Sequence, residues 1–314
     1  MTLMDGAVNA VQTCMGVKRG EKVCVVSDEA SEMLARAVFR ASADITHRTC
    51  HVIIPPPDRG SCEPPEPVAW AMSHSDVVFI LTQRSLTHTM ARIKANDAGA
   101  RIASMPGINE HMMSRGGMLA DYLGVDREVK KLCRKLKGRK EIHLSSDLGT
   151  DIRIPISGRN WVSADNGLCR KEGGFTNLPA GSVFIPPVEF KAEGLLYFDA
   201  GVEGEIDNPV RLKIREGRID KVPKYAKLEN WTDLEDPHST VLSQVGFGMN
   251  PAATVVGNIL QDEKALGTVH VGFGENRSFG GKIRCRHHFQ GIIKEPTVEI
   301  DGEVIIEKGS FVIT

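Results

Sequence analysis

Three stretches carry residues whose types and spacing could do chemistry. The first opens with His270 in a short apolar run, crosses a Gly- and Asn-rich loop from Gly272 to Gly281, and then presents Cys285, His287, His288 and Gln290. Histidines on neighbouring strands can hold a divalent metal through their imidazole nitrogens, or each can be a hydrogen-bonded structural residue. Glu275 is the nearest carboxylate in sequence that could complete a two-histidine, one-carboxylate set. Strand alternation puts Arg286 and Gln290 on the face of His288 and sends Cys285, His287 and Phe289 to the other. That alternation sets Cys285 aside as a nucleophile, although Arg284 and Arg286 would favour its thiolate. The second stretch, Asn177–Val183, is a Pro-Ala-Gly turn that releases Ser182 into a strand. Its hydroxyl can serve as ligand or nucleophile, or satisfy backbone groups. The third, Gln244–Pro251, leads through two glycines to Asn250, which can cap a helix with Pro251 at its first position. Capping explains Asn250 and leaves Gln244 unexplained.

The elements that must position these residues fall into two textures. Residues 1–138 alternate helix and strand. An amphipathic helix ends at Gly16, and strands are expected over 22–28, 46–54, 76–82 and 101–105. Helices are expected after Asp28, over PVAWAMSH, at 86–98, at 108–114 and near 126–138, with a loop at 58–66. This is a βαβ series, hence an α/β domain with a mostly parallel sheet. From 139 to 314 strands become short and turns frequent, which reads as a β-rich (α+β) domain with an antiparallel, partly barrel-like sheet. A helix from about Asn250 to Leu266 interrupts it, and Asp301-Gly302 joins its last long strands as a hairpin.

Composition narrows the function classes. The formal net charge of −1 leaves no basic excess for a nucleic acid. No apolar run approaches the roughly 20 residues that span a bilayer, so no membrane partner is expected. Seven scattered cysteines without a CxxC point to a reducing, cytoplasmic location. There is no Gly-rich phosphate turn and no GxSxG, HExxH or Walker pattern, which argues against nucleotide binding and the common hydrolase motifs.

The blocks NLPAGSV, QVGFGMNP, HVGFGEN, RCRHHFQG and PTVEIDG, with RIASMPGINEHMM and LGTDIRI before them, resemble the aminopeptidase T family of metallopeptidases. Its relatives, the iron-dependent 2,5-dihydroxypyridine ring-cleaving dioxygenases, share these blocks. The resemblance covers nearly the whole chain. It implies an active site in the C-terminal domain and a homodimer or larger homo-oligomer. Carried over residue by residue, it leaves His270 and His288 as metal ligands. Ser182, Gln244 and Gln290 stand where acidic or histidine ligands are usual, and are the catalytic candidates. Asn250 and Asn276, in the two Gly-Phe-Gly blocks, are the substrate-binding candidates. Such a set cannot hold two ions close together without carboxylate charge. It is compatible with one divalent ion (Zn, Fe, Mn or Co), with Glu189, His238 or Glu275 as a third ligand, or with none. Three readings follow: metal-assisted hydrolysis of a short peptide or small amide; a mononuclear metal enzyme acting on a small aromatic or heterocyclic ring; and a metal-free site that binds a small molecule, or catalyses without metal, through Gln244, Gln290 and the histidines.

Overall fold

A computed structural model of the chain describes residues 2–57, 62–223 and 236–312. Part of the loop expected at 58–66 therefore lies outside the described residues. The chain divides into two compact units. The first is Met1–Arg127 with Ala164–Gly181 and Pro251–Ala253, and the second is Glu128–Ser163, Ser182–Asn250 and Thr254–Thr314.

In the first unit, runs of β-favouring residues, most of them buried, make the strands of a parallel sheet. These are β1 (Val23–Asp28), β2 (Thr49–Ile54), β3 (Val77–Leu81) and β4 (Arg101–Ser104). After two strands of the other unit, β5 (Glu141–Ser145) and β6 (Asp151–Pro155), the short β7 (Phe175–Asn177) joins them. The order is β2-β1-β3-β4-β7, and every pairing is parallel. The fifth strand, three residues long, was beyond the reach of a periodicity argument.

Helix α1 (Leu3–Val8), continued by a π-helical turn at Asn9–Cys14, packs on α2 (Glu32–Ala43). Helix α3 (Glu66–Ser73) packs on α4 (Met90–Asp97), and their Val68, Met72 and Ala95 share one core with Cys24, Val26, Val78 and Ile80. Helix α5 (Glu110–Ser114) falls where a short helix is expected. The basic helix, α6, begins four residues earlier than expected, at Tyr122, and ends at Lys135.

The second unit holds two open antiparallel sheets. One has the order β12-β11-β9-β6-β5-β16-β17-β18, built from β9 (Glu193–Phe198), β11 (Val210–Arg215), β12 (Arg218–Ile219), β16 (Thr297–Ile300), β17 (Glu303–Glu307) and β18 (Ser310–Phe311) with β5 and β6. Asp301-Gly302 turns β16 into β17, as expected. The other has the order β10-β15-β14-β13-β8, from β8 (Ser182–Ile185), β10 (Gly201–Val202), β13 (Leu242–Gly248), β14 (Val269–Gly274) and β15 (His288–Ile293). One face of this smaller sheet is apolar and fully buried: Val245, Phe247, Val271, Phe273 and Phe289. There Phe273 stacks on Phe289 with ring centroids 5.1 Å apart, and Phe198 of β9 meets its edge at 6.5 Å. The sheet does not close into a barrel.

The helix expected from Asn250 to Leu266 is a correction. Only α7 (Ile259–Asp262) is helical, and Asn258 rather than Asn250 caps it, accepting from Leu260 N–H at 3.1 Å. The β-branched run Thr254–Val256 and Gly257, at φ 78°, cut the pattern short. No described helix is long and apolar enough to cross a membrane.

Asp28 shows how polar residues hold the first unit together. Its buried carboxylate accepts from Ser31 N–H at 3.1 Å and from Gln83 N–H at 2.6 Å, tying the end of β1 to the residues after β3. Asp28→Ala leaves both donors without that acceptor. A loss of about 1–3 kcal/mol is expected in urea unfolding of the chain; an unchanged midpoint would show that the tie is unimportant.

Candidate functional site

Register decides which side chains share the second face of the smaller sheet. His270 on β14 stands opposite Gly246 on β13 and Ile292 on β15; Gly272 stands opposite Gln244 and Gln290; Gly274 stands opposite His288. On β8, Phe184 and Ser182 oppose Gly246 and Gly248. Ser182, Gln244, His270, His288 and Gln290 therefore lie on one face. A β-bulge at Ser243 sets the parity of β13 that brings Gln244 to it.

Two glycines make the face habitable. A Cβ on Gly246 would lie 2.2 Å from His270 Nε2, and one on Gly272 would lie 3.2 Å from both Gln244 Cβ and His288 Cε1. The imidazoles lie over the sheet where those methyl groups would otherwise stand.

Two chains of contacts cross this face. One is aromatic. Phe184 stands 6.5 Å from the His270 ring and meets Phe279 edge-on at 5.4 Å, and Phe279 meets His288 edge-on at 6.2 Å. The other is polar. Lys264 Nζ donates to Ser182 Oγ at 3.3 Å and pairs with Glu263 Oε1 at 2.6 Å, while Glu263 Oε2 accepts from the Gln290 side-chain amide. Gln244 Nε2 and His270 Nε2 are hydrogen-bonded at 3.0 Å. His288 Nδ1 donates to the Glu275 carbonyl at 3.1 Å, which leaves Nε2 as the basic nitrogen. Ser182 and His270 are fully buried, whereas Phe184, Phe279, His288 and Gln290 are partly exposed.

Glu203 completes the polar side. It follows β10 with a φ of 47°, an uncommon conformation for a glutamate. This places its N–H on the Gln290 carbonyl at 3.1 Å and its Oε1 on the Gln290 N–H at 2.8 Å, so the carboxyl enters the strand ladder. Burial, reinforced by Glu263, outweighs that hydrogen bond and raises its pKa to about 7. Asp262 is raised to about 6 by burial, against the lowering effect of backbone N–H groups such as Val256, which donates at 2.8 Å.

The remaining expected residues serve other ends. Asn250 N–H donates to the Lys264 carbonyl at 2.9 Å and so positions that lysine's backbone. Asn276 is buried in its own loop, accepting from Ile283 N–H at 2.8 Å and donating to the Ser243 carbonyl at 3.3 Å. The three side chains offered as a third metal ligand are engaged elsewhere. Glu189 pairs with Arg159, His238 faces Asp236 at 3.5 Å, and Glu275 accepts from Arg277 N–H at 2.8 Å. Glu203, Glu263, Lys264, Phe184 and Phe279 were not singled out from sequence. Glu263 and Lys264 sit in the segment misread as a long helix, where charges read as a solvated face.

Among the described residues no group of three or more His, Cys, Asp or Glu side chains is placed to hold an ion. One His270 nitrogen is bonded to Gln244, and Gln290 offers a neutral amide turned to Glu263. The residues present do not fit a carboxylate-bearing centre.

Glu203 generates a pH prediction. Its pKa rises from an ordinary 4.5 to about 7, so the stability it contributes is full below 4.5 and is lost as pH rises through 7. Roughly 3 kcal/mol is at stake, with Asp262 adding a smaller fall near pH 6. Glu203→Gln keeps the acceptor without the charge. Its melting temperature should match the parent at pH 5 and exceed it at pH 8; a constant gap at both would show that Glu203 does not carry the extra proton.

The comparisons with known proteins agree on the fold. A family model described as NicX: 2,5-dihydroxypyridine 5,6-dioxygenase matches residues 3–313. The solved structure of 2,5-dihydroxypyridine dioxygenase from Pseudomonas putida KT2440 is similar with a TM-score of 0.80 at 18% identity, over 99% of this chain and 97% of that one. Wild-type AmpT from Thermus thermophilus is similar with a TM-score of 0.73 at 16% identity, over 99% of each chain. A search of curated protein sequences finds no match.

Proposed function

The chain belongs to the NicX 2,5-dihydroxypyridine 5,6-dioxygenase family, and on that premise we propose that it is a ring-directed enzyme acting on a small, planar, hydroxylated heteroaromatic or aromatic substrate. The observation that carries this reading is the run of rings across the glycine-lined face, from His270 through Phe184 and Phe279 to His288. Aromatic edges and faces of this kind receive a flat ring and give little purchase to an extended peptide. The family description favours a ring over the peptide or amide hydrolysis expected from sequence, while AmpT, at 16% identity, supports the fold alone.

The chain's own residues supply binding and proton transfer. Phe184 and Phe279 hold the ring plane, and Gln244 and Gln290 hydrogen-bond its substituents. His288 Nε2 accepts a proton from a ring hydroxyl, because the Glu275 carbonyl fixes its Nδ1 as the N–H. Lys264 neutralises Glu263, so that the polar side of the site does not repel an electron-rich ring. These roles belong to the chain's own side chains, which do not make a carboxylate-bearing metal centre.

Two experiments test this. Titration of 2,5-dihydroxypyridine, followed by calorimetry and by ring absorbance, should show binding or turnover, while aminoacyl anilides are left intact. Phe279→Ala should weaken ring binding at least tenfold with the melting temperature within about 2 °C of the parent, because Phe279 is partly exposed. Anilide hydrolysis without ring binding would instead restore the hydrolase reading. For the ion, melting temperature in the presence of Zn, Mn, Co or Fe(II) should move by less than about 1 °C, since a ligand that binds the native state tightly must stabilise it. A rise of several degrees, abolished by His288→Ala, would make His270 and His288 a metal pair after all.

A further inference from the structure

Gln290 has an orientation that its neighbours do not allow it to reverse. An ionised carboxylate only accepts hydrogen bonds, and Glu263 is held as one by Lys264 at 2.6 Å. The Gln290 group facing Glu263 must therefore be its NH2. The carbonyl Oε1 is directed elsewhere, is buried, and has no hydrogen-bond partner among the described residues. A buried amide oxygen without a donor is unfavourable, so a donor belongs beside it.

The surroundings show which donor. Gln290 stands opposite Gly272, where the sheet lacks a side chain. His288 Nε2 lies over the same glycine, 3.5 Å from where its Cβ would be, and the Glu275 carbonyl makes that nitrogen an acceptor as well. Gln290 and His288 are thus the two acceptor-bearing side chains beside Gly272.

We propose that the Glu263–Gln290 pair is the specificity element of this site, selecting a ring that donates a hydrogen bond from a lactam N–H or a hydroxyl. This rests on the ring reading above. Lys264 fixes the charge of Glu263, Glu263 fixes the amide of Gln290, and the amide oxygen reads the substrate. A ring that presents a methylated oxygen or nitrogen at this position puts a methyl group against a buried carbonyl. A ring that presents an anion puts like polarity against it.

The test is a binding comparison on the full chain, using 2,5-dihydroxypyridine and its O- and N-methylated derivatives as probes. The unsubstituted protein should bind the parent ring at least tenfold more tightly than at least one methylated form. Gln290→Met, similar in length but lacking the acceptor, should reduce that ratio below threefold. Glu263→Gln leaves Gln290 in place but frees its amide to turn over, and should also reduce the ratio; it serves should the methionine variant fold poorly. Parent and methylated rings binding within threefold of one another, or a Gln290→Met protein that keeps the tenfold preference, overturns the proposal while leaving the ring reading intact. Failure of every ring to bind at millimolar concentration overturns both.

Discussion

Neighbouring strands in a sheet lie about 4.8 Å apart, so side chains that share a face crowd one another. Two imidazoles and two carboxamides can lie across such a face only where the positions between them have no side chain. Gly246 and Gly272 meet that requirement, and the site depends on it. The apolar face behind them is packed with Phe247, Phe273 and Phe289, which holds the strands in register so that the polar face can be irregular. Packing on one side and chemistry on the other are thus consequences of a single alternation.

The charges inside the unit are arranged so that few stand alone. Lys264 is almost fully buried, and its ammonium is tolerated because Glu263 and Ser182 accept from it. Burial raises Glu203 to about 7, so that it is shared between its neutral and ionised forms at neutral pH, and raises Asp262 to about 6 against the opposing pull of Lys294. The result is a polar side of low net charge, although it is built largely from acidic residues. That suits a neutral, electron-rich ligand better than a strongly charged one.

Much of this architecture was legible in the chain. Long apolar runs such as Val77–Leu81, and turns such as Asp301-Gly302, announced strands and hairpins that form where they were expected. The alternation argument for His288 and Gln290 holds, and Gly272 between Gln244 and Gln290 brings three separate blocks together. Cys285 escapes that argument, because it precedes β15 and belongs to the loop. What could not be read are contacts that depend on loops. Lys264 and Glu263 reach the face from a segment that looks helical throughout by composition and is helical only over Ile259–Asp262, and Glu203 does so through a backbone conformation that no pattern signals. Phe279 is one aromatic in a glycine-rich loop, and its place beside Phe184 depends on a fold that brings two distant stretches together.

The fifth strand of the first unit has a consequence for how the chain is made. β7 pairs with β4, yet the 70 residues 105–174 lie between the two strands, and β5 and β6 of the other unit are synthesised in that interval. A nascent chain emerging from the ribosome therefore presents four strands of the parallel sheet with the β4 edge open, while the next unit has already begun to form. A fragment ending before Phe175 carries the same open edge permanently. The two units are interleaved along the chain, and neither can be completed by translation before the other is under way.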